Sequence, residues 1–101
     1  MGQYLGMAPI EQPTTLGVLA RSGAAPVALD APPTYRIYGP AGVMQNGTGT
    51  ASPVAGATGM YQVAFTPQAA NGFLPGLTYS ILWAGTISGG AWGDLSTFTV
   101  V

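Results

Sequence analysis

Short runs in which apolar and polar residues alternate recur along this chain, and they constrain its fold more than any other feature. In the clearest run, residues 77–84, every second side chain is large and apolar: Leu77, Tyr79, Ile81 and Trp83. A period of two with aromatic and β-branched residues predicts a strand with one buried face. Gly and Pro separate such runs at roughly 8–12 residue intervals, which predicts an all-β sandwich or barrel.

Turn signals divide the chain between these strands. Residues 39–42 (Gly-Pro-Ala-Gly) predict a turn, and Asn46-Gly47 predicts a hairpin turn because both residues tolerate positive φ. The glycine-rich residues 85–90 predict a flexible turn. Residues 48–59 are all small apart from a proline and a valine, and they fit either a short edge strand with mobile flanks or a long hairpin loop. The clear strands are predicted at residues 14–21, 34–38, 60–66, 77–83 and 96–101.

A tyrosine near the start of the clearest strand follows a proline-glycine turn. Pro75 supplies a fixed φ and Gly76 a residue free to take positive φ, so together they aim the chain into the strand. Tyr79, four residues after Pro75, has the placement of the tyrosine corner of β-sandwiches. In that motif the phenol hydroxyl bonds to backbone upstream. The alternative is an ordinary core tyrosine.

Ionisable side chains are unusually scarce. The chain of 101 residues has two arginines, three carboxylates and no lysine, histidine or cysteine. Its charged fraction of 5% compares with about 25% in typical soluble domains, which rely on dispersed charge for solubility. We infer that copies of the chain or a larger assembly cover much of its surface; the alternative is a monomer with a neutral Thr/Ser/Gly surface. The charged residues are Arg21, Arg36, Glu11, Asp30 and Asp94.

The same scarcity argues against chemistry at this chain. Without histidine or cysteine there is no Ser–His, Cys–His or His–metal arrangement, and the three carboxylates fall on three different predicted connections. The sequence therefore predicts no enzyme, and no catalytic, metal or cofactor-binding residues. Two arginines and a net charge of −1 are too few to neutralise several phosphates, so we expect no nucleic acid. We also expect no membrane association, because no run approaches about 20 apolar residues.

Two stretches carry apolar side chains outside the alternating pattern. Residues 1–13 have no clean period, and we expect them to form an ordered arm that either lies along the domain of residues 14–101 or reaches a neighbour. Trp83 is in phase with the core, whereas Trp92, between glycines, is the better candidate for an exposed contact such as stacking on a sugar ring; the alternative for Trp92 is capping the core or a subunit interface. The candidate partner-binding residues are Tyr4, Leu5, Met7, Ile10 and Trp92.

Four segments carry a family resemblance. Residues 59–65 contain Gly-x-Tyr, residues 72–81 contain Pro-Gly-x-x-Tyr, residues 98–100 are Phe-Thr-Val, and residues 17–27 look like a first strand and turn. Together they resemble small immunoglobulin-like modules of tailed-phage virions, although the motifs are loose and also occur in fibronectin type III-like modules. The resemblance covers residues 14–101. It implies one Ig-like β-sandwich of about six to eight short antiparallel strands, with the N-terminal segment as an extended arm.

The resemblance also implies a function, without transferring any functional residue. It implies a non-enzymatic structural protein of a virion, assembled in the host cytoplasm. We expect a capsid decoration protein that binds the major capsid protein or other virion proteins through its arm and its subunit interfaces, as a homo-oligomer. The alternatives are a neck or tail component, or an adhesion module that binds host-surface glycans through Trp92 and neighbouring tyrosines.

Overall fold

The computed structural model describes residues 3–101, apart from the side chain of Gln45, and it is all-β, as predicted. None of the described helices is long and apolar enough to cross a membrane. The strands are β1 (Gln3–Ala8), β2 (Thr14–Leu19), β3 (Arg21–Ser22), β4 (Ala25–Pro26), β5 (Thr34–Gly39), β6 (Gly42–Thr50), β7 (Ser52–Pro53), β8 (Met60–Phe65), β9 (Thr78–Ile87) and β10 (Gly90–Val100), and a 3₁₀ helix spans Ala69–Asn71.

The strands form two main sheets and one small hairpin. The larger sheet has five strands in the order β1-β10-β9-β5-β6, and the smaller has three in the order β2-β8-β7. Strands β3 and β4 pair only with each other. The strands of residues 14–101 pair antiparallel, as predicted, and the N-terminal arm adds β1, which runs parallel to β10.

The core lies between the two main sheets. Tyr79, Ile81 and Trp83 of β9 are buried, as the alternation predicts, whereas Leu77 lies before the strand and is exposed. Phe65 of the three-stranded sheet packs against Phe98 of the five-stranded sheet, with ring centroids 6.2 Å apart. Alternating side chains from both sheets thus meet in one apolar layer, the arrangement of a β-sandwich.

The predicted hairpin at Asn46-Gly47 is wrong. Strand β6 continues through both residues, and the β5–β6 hairpin turns earlier, where Gly39 pairs with Gly42. Asn46 has a φ of 59°, and the pairing register shifts between Arg36 and Tyr38 opposite it. The positive φ therefore serves an irregularity within a strand rather than a chain reversal.

The predicted flexible turn at residues 85–90 is too long. Strand β9 runs to Ile87 and β10 begins at Gly90, so only Ser88 and Gly89 connect them. Their φ values are 48° and 81°, and positive φ at both central residues is the geometry of a type I′ hairpin turn. Residues 48–59 contain the end of β6 and the short edge strand β7, followed by turns.

Six residues of the predicted N-terminal arm, Gln3–Ala8, lie along the domain as β1. The first two residues of the arm lie outside the described residues. Ala8 is buried, and Leu5 and Ile10 pack against the core. Beyond the strand, the Ile10 amide donates to the Val101 carbonyl at 2.8 Å.

Two core tyrosines fasten connections through their hydroxyls. The Leu74 amide donates to the Tyr79 hydroxyl at 2.9 Å, and that hydroxyl donates to the Gly72 carbonyl at 3.4 Å. The predicted tyrosine-corner contact is therefore confirmed. On the other side of the core, the Leu29 amide donates to the Tyr61 hydroxyl at 2.9 Å. Each bond gives a partner to a backbone group that loses its hydrogen bond to water on folding.

Asp30 fastens the β9–β10 turn. Its two carboxylate oxygens accept from the Ser88 and Gly89 amides, each at 2.9 Å. Hydrogen bonds lower the pKa of Asp30 below its ordinary value of 3.8. The Gly89 amide contributes most, followed by the Thr86 side chain and then the Ser88 amide. Hydrogen bonds to the charged form of a carboxylate have this effect.

The depressed pKa of Asp30 predicts a pH-dependent contribution to stability. The contribution is complete above the unfolded-state pKa of about 4 and is lost as the pH falls through the lower folded-state pKa. Urea unfolding at a series of acidic pH values is expected to show a steeper loss of stability in the wild type than in Asp30→Asn. Equal acid sensitivity of the two proteins would contradict this assignment.

Candidate interaction surface

The side of the five-stranded sheet that faces away from the core is broad and apolar at its centre. We call this side the outer face. Leu82 pairs with Leu95 on one neighbouring strand and with Arg36 on the other, so the three side chains form one row across the sheet. Leu82 is 40% exposed and Leu95 41%. With neighbouring strands about 4.8 Å apart, the axes of the two outermost strands of the face are about 19 Å apart.

Hydroxyl groups surround the central leucines. These hydroxyl groups belong to residues of β5, β6, β9 and β10, and they make the area around the leucines polar without adding charge. Arg36 is the single charged side chain that the described strands place on the outer face. A face with an apolar centre, a neutral polar surround and little charge is a candidate protein interface. The surrounding hydroxyl residues are Thr34, Thr48, Thr50, Thr78, Ser80, Thr97 and Thr99.

The candidate arm residues divide between the outer face and the core. Tyr4 pairs with Thr97 and Met7 with Thr99, and the Tyr4 hydroxyl donates to Thr99 Oγ1 at 3.1 Å, so both extend the outer face. Met7 is 70% exposed. Leu5 and Ile10 instead pack against the core, as described above.

A second apolar area lies at the end of the domain that carries the tyrosine corner. It is a groove of about 410 Å³ between the β5–β6 hairpin and the turn that precedes β9. Val43 and Leu74, two of its lining residues, are more than half exposed. Its larger apolar lining residues are Pro40, Val43, Met44, Leu74 and Leu77.

A third feature is a polar cleft that Trp92 lines. We call it the Trp92 cleft; its volume is about 640 Å³. Trp92 is half-buried and packs against the core on one side, so it is separate from the arm residues on the outer face. Arg21 and Asp94 also line the cleft. Two of the five charged residues of the chain therefore line the same cleft as one of its two tryptophans.

The three carboxylates lie at separate places and bond to backbone. Glu11 Oε2 accepts from the Ala69 amide at 2.7 Å, Asp30 holds the β9–β10 turn, and Asp94 Oδ1 accepts from the Leu95 amide at 2.9 Å. Within residues 3–101 no group of three or more acidic side chains comes together in a way that would hold a metal ion.

Sequence reasoning missed two of these arrangements. The row of Arg36, Leu82 and Leu95 depends on strand order, although Leu82 already alternates out of phase with the core residues. No local sequence pattern predicts that Arg21 and Asp94 line the same cleft as Trp92. Comparison of the chain with protein-family models, curated protein sequences and solved structures found no match. The resemblance to phage modules therefore stays a prediction from the residues quoted above.

Proposed function

We propose that this chain is a non-enzymatic structural protein of a tailed-phage virion, a decoration subunit that binds the head lattice through its outer face. The observation that carries the proposal is the outer face itself, where two half-exposed leucines are surrounded by hydroxyl groups with a single arginine. Binding of a partner to such a surface is favourable, because it buries apolar area and desolvates few charges.

The strand order supports an immunoglobulin-like form of the sandwich, as part of the proposal. In the constant-type immunoglobulin fold one sheet contains strands B, E and D and the other contains C, F and G. The order β2-β8-β7 corresponds to B-E-D, and β10-β9-β5 corresponds to G-F-C. Tyr79 lies near the start of β9, the counterpart of strand F, where the tyrosine corner of that fold occurs.

The charge on the outer face indicates what kind of partner it fits. A symmetric contact of the outer face with itself would bury Arg36 from both copies without a carboxylate from either face. Asp30, at the β9–β10 turn, already has both oxygens bonded to that turn. A partner with an acidic residue opposite Arg36 avoids this cost, since an unpaired buried charge is strongly unfavourable. We therefore assign the outer face to a different protein, the major capsid protein in this proposal, and contacts between copies to other surfaces such as the apolar groove.

A lysine at the centre of the outer face is expected to remove binding to the particle. Leu82→Lys places a second positive charge beside Arg36, and burying it unpaired should weaken binding by about 2–5 kcal/mol, or about 30-fold or more. The measurement is co-sedimentation with particles of the phage that encodes the chain, prepared without it. Ala64→Lys is the matched control, because Ala64 is exposed on β8, on the smaller sheet.

Each outcome of this binding experiment bears on a different part of the proposal. Wild-type protein and Ala64→Lys should bind alike, and Tyr4→Ser and Met7→Ser should each weaken binding less than Leu82→Lys does. Deletion of residues 2–13 is a poorer test because it removes β1. Wild-type protein that does not bind, and is absent from mass spectra of purified virions, would refute the virion function. Binding by Leu82→Lys at wild-type strength would refute the role of the outer face.

A further inference from the structure

The Trp92 cleft lies where the ends of several strands meet. Its walls come from β1, from β10, and from the segment that leads from β2 into the β3–β4 hairpin. A volume of about 640 Å³ is within the range of small-ligand sites, about 300–1,000 Å³. The cleft is separate from the outer face, so binding of a ligand there does not depend on the proposed virion function. The side chains that carry its chemistry are Gln3, Arg21, Trp92 and Asp94.

The indole of Trp92 is held in place from one side. Trp92 pairs with Gly85 across the β9–β10 ladder. A Cβ at Gly85 would lie 3.6 Å from Trp92 Cε3, an ordinary contact distance, so the indole lies over Gly85, and it packs against the core. The ring then lines the cleft as a fixed apolar surface, and a fixed aromatic surface loses little conformational freedom when a ligand stacks on it.

The polar groups of the cleft include both donors and acceptors. The Arg21 guanidinium only donates, the ionised Asp94 carboxylate only accepts, and the Gln3 amide does both. Asp94 uses Oδ1 for the Leu95 amide, which holds the carboxylate in position and leaves Oδ2 for a ligand. An anion would be repelled by Asp94 and a cation by Arg21. A neutral ligand whose hydroxyls both donate and accept can use all three side chains.

We propose that the Trp92 cleft binds a neutral pyranose sugar as part of a glycan. A pyranose has one face of C–H groups, which stacks on an aromatic ring, and a rim of hydroxyls, which both donate and accept hydrogen bonds. Asp94 accepts from the sugar hydroxyls, Arg21 donates to them, and Trp92 covers the C–H face.

The two tryptophans make this proposal testable with the intact chain. Trp83 is fully buried and its Nε1 donates to Ser96 Oγ at 3.3 Å, so its indole signal serves as an internal reference. Indole N–H resonances are recorded while the methyl glycosides of glucose, galactose, mannose and N-acetylglucosamine are titrated separately to millimolar concentrations. At least one is expected to shift the Trp92 signal saturably and leave the Trp83 signal unchanged. N-acetylneuraminic acid, an anionic sugar, is expected to shift neither.

Charge-removing variants show which residues bind. Asp94→Asn and Arg21→Gln are each expected to weaken binding of the same glycoside about tenfold or more, the effect of losing one or two hydrogen bonds to a charged group. Glu11→Gln, a matched carboxylate-to-amide change outside the cleft, should bind like the wild type. An unchanged Trp83 signal shows that each variant is folded. The proposal is overturned if no neutral glycoside shifts the Trp92 signal, if only the anionic sugar does, or if Asp94→Asn and Arg21→Gln both bind at wild-type strength.

Discussion

Replacing Gly59 with alanine is expected to lower the free energy of unfolding by about 2–6 kcal/mol. Gly59 is buried with a φ of +81°, and an added Cβ would lie 2.8 Å from the Ala20 carbonyl oxygen, 2.9 Å from the Val27 carbonyl oxygen and 3.0 Å from the Val27 nitrogen. The strained φ contributes about 1–3 kcal/mol and the overpacking about 1–3 kcal/mol more. The three neighbours are backbone atoms, which cannot rotate away as a side chain can.

Gly56 provides the matched control for this substitution. Its φ is +78°, but a Cβ there would have nothing within 4 Å. Gly56→Ala should therefore cost only the backbone contribution, about 1–3 kcal/mol. Urea unfolding of both variants measures the difference, and equal losses would mean that the close approach at Gly59 has no energetic consequence.

The same substitution is expected to affect the Trp92 cleft. The Ala20 amide donates to the Gly59 carbonyl at 2.8 Å, and the Val27 amide donates to the Ala20 carbonyl at 3.0 Å. These bonds hold both ends of the β3–β4 hairpin, which carries Arg21. A displaced Gly59 should therefore move Arg21 relative to Trp92. The sugar affinity of the folded Gly59→Ala variant should then be lower than that of the wild type.

Features that depend on neighbouring residues could be predicted from the sequence. The alternation in residues 77–84 located the buried face of β9, because a strand presents successive side chains to opposite faces. The interval between Pro75 and Tyr79 predicted the tyrosine corner for a similar reason. The hydroxyl has to reach only as far as Leu74 and Gly72, a few residues upstream.

The turn at Asn46-Gly47 was predicted wrongly because the dipeptide indicates that the backbone can adopt positive φ, but does not indicate where a strand ends. Its tolerance of positive φ suits a hairpin, but it equally suits an irregularity inside a long strand. The actual hairpin uses Gly42, whose φ is +111°. Which of the two sites reverses the chain depends on the pairing of β5 with β6, and that pairing has no signal in the dipeptide.

Strand β1 had no readable period for a physical reason. Gly6 has a φ of +104°, and the register with β10 shifts between Tyr4 and Met7. The shift brings Tyr4 and Met7, three positions apart, to the same outer face, so the period of two that indicates a strand is interrupted. The parallel pairing joins the two ends of the chain, which no local pattern reports.

The candidate surfaces were predictable only in part. Scarce charge predicted that partners cover part of the surface, and this stays a prediction; the place of the leucines on the outer face depends on strand order, which the sequence does not report. The Trp92 cleft was not predictable beyond Trp92 itself, because Arg21 and Asp94 are far apart in the sequence and come to line one cleft only in the folded chain.

Phe73→Ala is expected to lower the free energy of unfolding by about 3–5 kcal/mol, the usual effect of truncating a buried phenylalanine. Phe73 lies in the connection between the 3₁₀ helix and β9, yet it is fully buried. Its ring centroid is 5.2 Å from that of Phe65 and 4.9 Å from that of Tyr79. Since a domain of this size has a total stability of about 5–15 kcal/mol, the variant should be close to unfolding at moderate temperature.

The neighbouring residue is the control for Phe73. Leu74 is 54% exposed, so Leu74→Ala should change stability by no more than about 0.5 kcal/mol. Thermal and urea unfolding of both variants provide the comparison. Similar losses in the two variants would mean that Phe73 does not belong to the core.

A double-mutant cycle then tests whether Phe73 also supports the tyrosine corner. The Phe73 ring packs on Tyr79, and the Tyr79 hydroxyl accepts from the amide of the next residue, Leu74. Tyr79→Phe alone should cost about 1–3 kcal/mol by leaving that amide without its partner. If the ring positions the hydroxyl, the double variant should lose about 0.5–3 kcal/mol less than the sum of the single losses. Additive losses would show that burial of the ring and the corner bond stabilise the β8–β9 connection independently.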